Sequence, residues 1–177
     1  MQEVFTNPDN MHWLVNRPAL GNLPPIEFPE KIKQTLMSVA PKGLDQVQLM
    51  MCGTCSNENA LKHAMMYHQH IARKGKSPSD KDLLSSMWHQ SPGTPDHLLV
   101  IAFEKAFHGR TFMSLSLSQS KAIHKVDVPA MTDTVLRCPF PNTHNDKGED
   151  DRTLAGIEQM IRIAKETGLI AHSLFFF

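Results

Sequence analysis

The first half of the chain contains apolar residues at two different spacings. From residue 28 to residue 39 they recur every three or four positions, which predicts a helix, and Pro41 ends the pattern. Residues 47–51 are mostly apolar without that period, which favours a short buried strand. After a polar turn, apolar residues return at helical spacing up to Ala72, and Gly75 is expected at C′, just beyond the helix end. This half therefore predicts a helix, a strand, a tight turn and a second helix.

The middle of the chain repeats the order of polar turn, helix and strand. Ser79 and Asp82 have the spacing of a capping box, and they precede a helical pattern that extends to Trp88. Residues 97–103 are the best strand candidate in the chain, because they are almost continuously apolar. This strand leads into a polar turn at 106–111 that contains a glycine. Strands that alternate with helices predict the α/β fold class.

The two ends of the chain and its last third are less regular. Residues 121–148 contain prolines, asparagines and aspartates, and we expect them to be mostly irregular. Acidic residues at 149–151 precede a helical pattern that Gly168 ends. The predicted organisation has three parts, which are an extended lead-in at 1–27, a partial large domain at 28–168 and a divergent apolar tail at 169–177.

Composition and charge exclude several classes of function. The chain has 177 residues and a mass of 19.9 kDa, which fits one domain or a piece of a larger one. Lys and Arg number 18, as do Asp and Glu, so we expect neither a nucleic-acid-binding surface nor a membrane surface. No apolar run approaches the roughly 18 residues that span a bilayer. Residues 1–10 match neither a secretory signal nor a transit peptide.

The polar turn before the second predicted helix is suited to an anion. A helix N-terminus presents unpaired backbone N–H groups and a positive dipole end, and Gly53 lets a ligand approach the backbone. Thr54, Ser56 and Asn57 add side-chain donors, so a phosphate is the natural ligand. The alternative is an ordinary helix cap, because Ser, Thr and Asn are common cap residues. A P-loop motif is absent from the sequence, which disfavours a nucleoside triphosphate.

Cys52 and Cys55 have the C-x-x-C spacing of a metal or redox site. Thiolates at this spacing can bind one soft metal ion or part of an iron–sulfur cluster. Because two ligands do not complete a site, either His63, His68 and His70 complete it, or a second copy of the chain donates its own pair. The alternative is a pair of buried free cysteines that bind nothing.

The turn at 106–111 follows the best strand candidate, and open α/β sheets bind ligands at such strand ends. Phe107 can stack on a planar cofactor, and Arg110 can bind a carboxylate through two parallel hydrogen bonds. Alternatively, Phe107 belongs to the core, Arg110 forms a surface ion pair and His108 is a structural histidine.

Two motifs resemble a known family. They are Cys-Gly-Thr-Cys-Ser-Asn-Glu-Asn-Ala at 52–60 and Ala-Phe-His-Gly-Arg-Thr at 106–111, and segments 16–21, 38–43 and 120–125 support the same match. The chain resembles the class III pyridoxal-phosphate (PLP) aminotransferases, and the first motif is similar to their animal and fungal 4-aminobutyrate branch. The resemblance implies a partial large domain of the PLP-dependent transferase fold type I, a three-layer α/β/α arrangement with an incomplete sheet.

The resemblance also implies roles for single residues around the cofactor. Gly53 and Thr54 would hold the PLP phosphate at the helix start, with Asn57 nearby. Phe107 would stack on the pyridine ring, with His108 beside it in the cofactor site.

The resemblance also implies the substrates, an iron–sulfur cluster and a partner subunit. Arg110 would bind the substrate carboxylate. Cys52 and Cys55 match a pair that, with the same pair from the other subunit, holds a [2Fe–2S] cluster across a homodimer. The implied reaction moves the amino group of 4-aminobutyrate to 2-oxoglutarate in the mitochondrial matrix. The family's targeting peptide would precede the residue that matches Met1, and it is absent from this chain.

The sequence also departs from the family pattern. PLP chemistry needs a Schiff-base lysine and an acidic residue at the pyridine nitrogen, and no lysine here matches the family's motif. No catalytic residue is assigned, and we expect this chain to be an inactive fragment that folds marginally by itself. The tail at 169–177 replaces an expected Val-Glu-Pro strand. The alternatives are a truncated product that pairs with full-length subunits, and a small metal-binding protein that uses the cysteines and histidines named above.

Overall fold

A computed structural model describes residue 3 and residues 6–11, 24–89, 99–129, 135–141, 148–167 and 174–176. Contacts between residues divide the chain into two compact units, Met1–Met51 and Cys52–Phe177. The three-part organisation predicted from the sequence stays a prediction.

The first unit contains a short helix where the sequence predicts one. Helix α1 spans Phe28–Gln34 and ends earlier than predicted. The Thr35 hydroxyl donates to the carbonyl of Lys31 at 2.6 Å, and the backbone leaves the helical conformation at this residue. A 3₁₀ turn, Met37–Val39, carries the remaining part of the apolar pattern. A second 3₁₀ turn lies at Pro8–Asn10.

The predicted strand at 47–51 is wrong. Residues 44–50 have no regular secondary structure, and the side chains of Val47, Leu49 and Met51 are exposed. A strand is stable only when its backbone groups pair with a neighbour. Within the described residues this segment pairs with no strand.

Helix α2, Gly53–Ala72, opens the second unit and confirms the predicted turn-to-helix transition. At its C-terminus the N–H of Gly75 donates to the carbonyl of His70, and the N–H of Lys74 donates to the carbonyl of Ile71. This is a Schellman motif with Lys74 at C′ and Gly75 at C″. Both residues have positive φ, so the predicted C′ glycine is displaced by one position.

Helix α3, Asp80–His89, begins with the predicted capping box. The N–H of Asp82 donates to the Ser79 hydroxyl at 3.2 Å, and the N–H of Ser79 donates to the Asp82 carboxylate at 3.4 Å. The apolar residues of this helix are exposed to solvent, and they are Leu83, Leu84, Met87 and Trp88.

Three parallel strands form the described sheet. Strand β1, Leu99–Phe103, lies in the centre between β2, Val135–Cys138, and β3, Leu174–Phe176. Of the predicted strand 97–103, residues 97 and 98 lie outside the described residues. Strand β2 is a short regular element within the segment expected to be mostly irregular, and β3 shows that the divergent tail includes a strand.

Helices cover both faces of β1. Helix α4, Phe112–Leu117, and helix α2 pack on Val100 and Ala102, and helix α5, Glu149–Glu166, packs on Leu99 and Ile101. Because successive residues of a strand point to opposite faces, β1 is buried between two helical layers. The predicted α/β class is confirmed. No helix in the described part of the chain is long and apolar enough to cross a membrane.

Candidate functional site

The two polar turns singled out from the sequence lie together at the carboxyl end of β1. Gly109, in the turn after β1, packs directly on Thr54 in the first turn of α2. A Cβ atom added to Gly109 would lie 2.5 Å from the Thr54 Cγ2 atom, and the φ angle of Gly109 is +129°. This close approach therefore requires glycine at position 109.

Hydrogen bonds between α2 and residues 108–114 fix the second turn in place. The Asn57 side-chain amide donates to the carbonyl oxygen of His108 at 2.7 Å. The Ser114 hydroxyl donates to the carbonyl oxygen of Thr54 at 3.3 Å. Residues more than fifty positions apart in sequence are thus held as one surface. We call this region, formed by residues 52–58 and 107–118, the junction.

Glu58 also belongs to the junction, and no role for it was predicted from the sequence. One carboxylate oxygen of Glu58 accepts from the backbone N–H groups of Met113 and Ser114, both at 3.0 Å. The same oxygen accepts from the Thr111 hydroxyl. Glu58 therefore caps the N-terminus of α4 from a different helix.

The buried Ser118 supports the turn from the opposite side. Its hydroxyl oxygen accepts from the N–H of His108 at 2.9 Å and from the N–H of Gly109 at 3.2 Å. Its proton has two acceptors within reach, the carbonyl oxygens of Gly109 and Ser114. The backbone around residues 108–109 is therefore closely defined.

The N-terminus of α2 is open in front of its first residue. A Cβ atom added to Gly53 would meet nothing within 4 Å in the described part of the chain. The helix has no acidic residue in its first turn, and its N-cap, Cys52, makes no side-chain capping hydrogen bond with a described residue. The dipole and the first N–H groups of this terminus can therefore act on an anion. The N–H groups of Thr54 and Cys55 also interact with the Cys52 sulfur.

The two cysteines lie at this same helix start. Their Sγ atoms are 3.5 Å apart and share a hydrogen bond. The backbone N–H and the thiol of Cys55 stabilise the thiolate of Cys52 and lower its pKa. Hydrogen bonding to Cys52, followed by desolvation, raises the pKa of Cys55. Cys52 is exposed and Cys55 is half-buried, so the alternative of a buried pair is wrong.

Metal ligation by nearby histidines finds no support in the structure. Across the described ranges, no group of three or more His, Cys, Asp or Glu side chains is arranged to hold a metal ion. His63, His68 and His70 therefore do not complete a site with the cysteine pair.

Phe107 and Arg110 are exposed residues of the junction. The Phe107 ring lies edge-on to the His124 ring, with 5.8 Å between the ring centroids. Within the part of the chain that is described, the Arg110 side chain forms no hydrogen bond or ion pair, so its guanidinium can accept a ligand. His108 is half-buried, and desolvation, with a smaller contribution from the charge of Arg137, lowers its pKa.

Arg137, on β2, is another residue that the sequence did not single out. Its guanidinium donates to the carbonyl oxygens of Ser116 and Leu117 at the C-terminus of α4. The Lys125 ammonium also donates to the Ser116 carbonyl, at 3.3 Å. Cations stabilise the negative end of a helix, so α4 is held at both termini by charged side chains from other elements.

A parallel sheet between two helical layers, with polar turns at the carboxyl end of its central strand, defines an α/β protein, a class that binds ligands at that end of the sheet. The family model for class III aminotransferases matches residues 1–171. The chain therefore belongs to the class III aminotransferases.

Several relatives within the family are 4-aminobutyrate aminotransferases. The enzyme from Dictyostelium discoideum is 44% identical over 155 residues, which are 84% of this chain and 31% of the relative. The human mitochondrial enzyme is 41% identical over 167 residues, 90% of this chain and 33% of the relative. A probable mitochondrial enzyme from Caenorhabditis elegans is 44% identical over 165 residues, 90% of this chain and 34% of the relative. The chain spans about a third of the length of these relatives.

Solved structures agree on the fold. A lysine aminotransferase from M. tuberculosis matches 94% of this chain and 34% of its own length, with a TM-score of 0.66 and 19% identity. A transaminase solved with L-alanine matches 78% of this chain and 29% of its own length, with a TM-score of 0.50 and 22% identity. The fold of the chain is therefore part of an aminotransferase fold.

Proposed function

We propose that this chain is part of a PLP-dependent transaminase that moves the amino group of 4-aminobutyrate to 2-oxoglutarate. The family match and the names of the relatives support this reaction. Relatives named as mitochondrial support a mitochondrial parent protein. The amino acid and 2-oxo acid substrates and a homodimeric parent are part of the same proposal.

The observation that carries the proposal is the open N-terminus of α2 at the junction. Gly53 leaves space for an anion, and Thr54 is packed against Gly109, so the helix start has a fixed position relative to the turn after β1. In our proposal the N–H groups of Gly53 and Thr54 hold the PLP phosphate. Asn57 is close to this point, but its amide is bonded to the His108 carbonyl. We therefore assign Asn57 to fixing the site rather than to a direct phosphate contact.

The turn after β1 would hold the rest of the cofactor and the substrate. The Phe107 side chain is exposed and would stack on the pyridine ring, and its contact with the His124 ring is T-shaped. His108 would lie beside the cofactor as a neutral imidazole, since burial lowers its pKa. Arg110 would bind the substrate carboxylate through its guanidinium.

PLP, when bound, supplies an electron sink for the carbon next to the substrate amine. The chain contributes binding and orientation to that chemistry, and we assign no catalytic lysine within it. We therefore propose that amino transfer requires the remainder of a longer subunit, and that this chain alone is inactive.

The cysteine pair would bind a [2Fe–2S] cluster together with the same pair of a second subunit. Two thiolates on one tetrahedral metal ion lie about 3.8 Å apart, as follows from metal–sulfur bonds of about 2.3 Å. The Sγ atoms of Cys52 and Cys55 are 3.5 Å apart, so both can reach one metal ion with little movement. The lowered pKa of Cys52 favours the thiolate that a metal requires.

Calorimetric titration of the full chain with pyridoxine 5′-phosphate and with pyridoxine tests the phosphate site. Neither compound has an aldehyde, so reaction with surface lysines does not complicate the result. We expect the phosphate ester to bind at least tenfold more tightly than the alcohol. A methyl group at the open position should hinder the phosphate, so Gly53→Ala should remove most of this advantage.

Gly156→Ala on α5 is the matched control, because a Cβ atom there also meets nothing within 4 Å among the described residues. It should keep the advantage of the phosphate ester. Equal affinity of the unsubstituted chain for the two compounds would refute the proposed site.

A further inference from the structure

Glu58 connects two elements that are far apart in sequence. It lies in the second turn of α2, and its three partners, Thr111, Met113 and Ser114, lie at or next to the start of α4. Those partners follow Arg110 directly in sequence. The position of the proposed carboxylate-binding residue is therefore coupled to α2 through this side chain, in addition to the bond from Asn57 to the His108 carbonyl.

The bonding of Thr111 makes this connection different from an ordinary cap. Thr111 is the N-cap of α4, and a threonine at that position commonly accepts a hydrogen bond from the N–H groups that follow it. Here the Thr111 side chain makes no capping bond, and its hydroxyl donates to Glu58 instead. Glu58 accepts from the N–H groups of Met113 and Ser114 in its place.

Because Glu58 accepts from the N–H groups that Thr111 could cap, removing Glu58 has two separate effects. One is on the cap of α4, and the other is on the link between α2 and α4. Thr111 can rotate and cap α4 by itself, so α4 has a way to remain helical. Among the described residues, the other hydrogen bonds seen between α2 and this turn, from Asn57 and from Ser114, involve neutral groups and do not replace the charged link. Hydrogen bonds to a charged acceptor are about twice as strong as those between neutral groups.

We propose that Glu58 is a positioning residue, which sets the distance between the phosphate site at Gly53 and the guanidinium of Arg110. This inference rests on the proposed function. A ligand with both a phosphate and a carboxylate must match that distance, whereas a ligand with only a phosphate need not. Loss of Glu58 should therefore weaken the two-ended ligand more than the one-ended ligand.

The test compares two ligands on the full chain by calorimetry. The two-ended ligand is N-phosphopyridoxyl-4-aminobutyrate, a stable secondary amine, and the one-ended ligand is pyridoxine 5′-phosphate. For Glu58→Ala we expect about tenfold weaker binding of the two-ended ligand and less than threefold weaker binding of the one-ended ligand.

Two variants control this measurement. Glu58→Gln keeps an oxygen that can accept from both N–H groups of α4, and it should restore part of the lost affinity. If Glu58→Ala does not fold, the two ligands are compared on Glu58→Gln alone. The two-ended ligand should again lose more affinity than the one-ended ligand, by a smaller factor. Glu158→Ala removes an exposed carboxylate on α5 and should bind both ligands as the unsubstituted chain does.

The outcomes distinguish this inference from the proposed function. Equal losses for both ligands, or no loss for either, would overturn the positioning role. If the unsubstituted chain binds neither ligand, the proposed function fails, and amide hydrogen exchange then decides the role of Glu58. In Glu58→Ala, exchange should be several-fold faster at His108 and Gly109 and little changed at Ser114; unchanged exchange at all three would reject the link.

Discussion

The junction and helix α3 differ in how far their side chains are partnered or buried within the chain. At the junction, polar groups such as Glu58, Asn57 and Ser118 find partners within the chain, and Leu61 of α2 is buried beneath them with Leu117. On α3 the apolar residues Leu83, Leu84, Met87 and Trp88 remain exposed, although the helix has a complete capping box.

The difference separates local from long-range causes of structure. A capping box and helical spacing suffice to form α3, but burial of its apolar residues needs a covering surface that the described residues do not supply. The junction holds its own covering elements, α2, α4 and β1. We therefore expect stability to be concentrated at the junction, and exposed apolar surface at α3 to promote association.

The largest effect should come from a pair of leucine substitutions, one in the core beneath the junction and one on α3. Leu61 is 1% exposed and packs on Val100, Ala102 and Leu117, whereas Leu84 is 63% exposed. Leu61→Ala should lower the free energy of unfolding by about 2–5 kcal/mol, because it removes buried contacts and leaves a cavity. Leu84→Ala should change it by less than about 0.5 kcal/mol.

Urea unfolding followed by circular dichroism measures both changes. Similar values for the two variants would mean that the α3 surface is covered in solution, for example by self-association, and would remove the contrast between the regions. A non-cooperative transition of the unsubstituted chain would instead agree with the marginal folding expected from the sequence.

Secondary-structure elements were predicted best where the spacing of their apolar residues alone indicates a helix or a strand. Strand β1 and helix α2 were predicted because their apolar residues have strand or helical spacing and form the core. Strand β2 was missed because it has only four residues and Arg137 interrupts its apolar run. Arg137 is tolerated there because its guanidinium bonds to carbonyl groups at the end of α4.

Site residues could likewise be predicted where neighbouring residues determine their role, and not where distant residues do. Cys52, Gly53 and Thr54 could be placed at a helix start from neighbouring residues alone. The roles of Glu58 and Ser118 could not, because their partners belong to other elements and no local pattern marks them. The short helix α4 depends on both of these residues, and it was also not predicted.

An intermediate effect is expected for two glycines at the junction. Gly109 has a φ angle of +129° and lies against Thr54, whereas Gly53 begins α2 and faces open space. Gly109→Ala should destabilise the chain by about 1–3 kcal/mol from backbone strain alone, and displacement of Thr54 adds to this loss. Gly53→Ala should leave stability within about 1 kcal/mol, since alanine is the better helix former.

The measurement is again the midpoint of urea unfolding. Equal midpoints for Gly109→Ala and Gly53→Ala would mean that the contact between Gly109 and Thr54 is not closed in solution. A second variant, Gly109→Ala with Thr54→Ala, should recover part of the loss, because alanine lacks both the Cγ2 and the Oγ1 atoms that the new Cβ atom would meet at 2.5 Å.

The smallest expected effect concerns the protonation of His108 at the junction. Desolvation and then the charge of Arg137 lower its pKa from the ordinary value of 6.5. Above that value His108 is neutral in both the folded and the unfolded chain. As the pH falls below it, the unfolded chain binds a proton that the folded chain resists, so the free energy of unfolding decreases until the pH passes the folded-state pKa.

Thermal unfolding of the unsubstituted chain and of His108→Gln between pH 5 and pH 7.5 measures this contribution, because the other histidines are present in both proteins. The difference in melting temperature between the two proteins should change by a few degrees across this range, with the unsubstituted chain losing more at low pH. Salt screens the contribution of Arg137 but not desolvation, so most of the effect should persist at 0.5 M salt. A difference that does not depend on pH would mean that His108 is solvated, and that the junction is as open to water as the exposed face of α3.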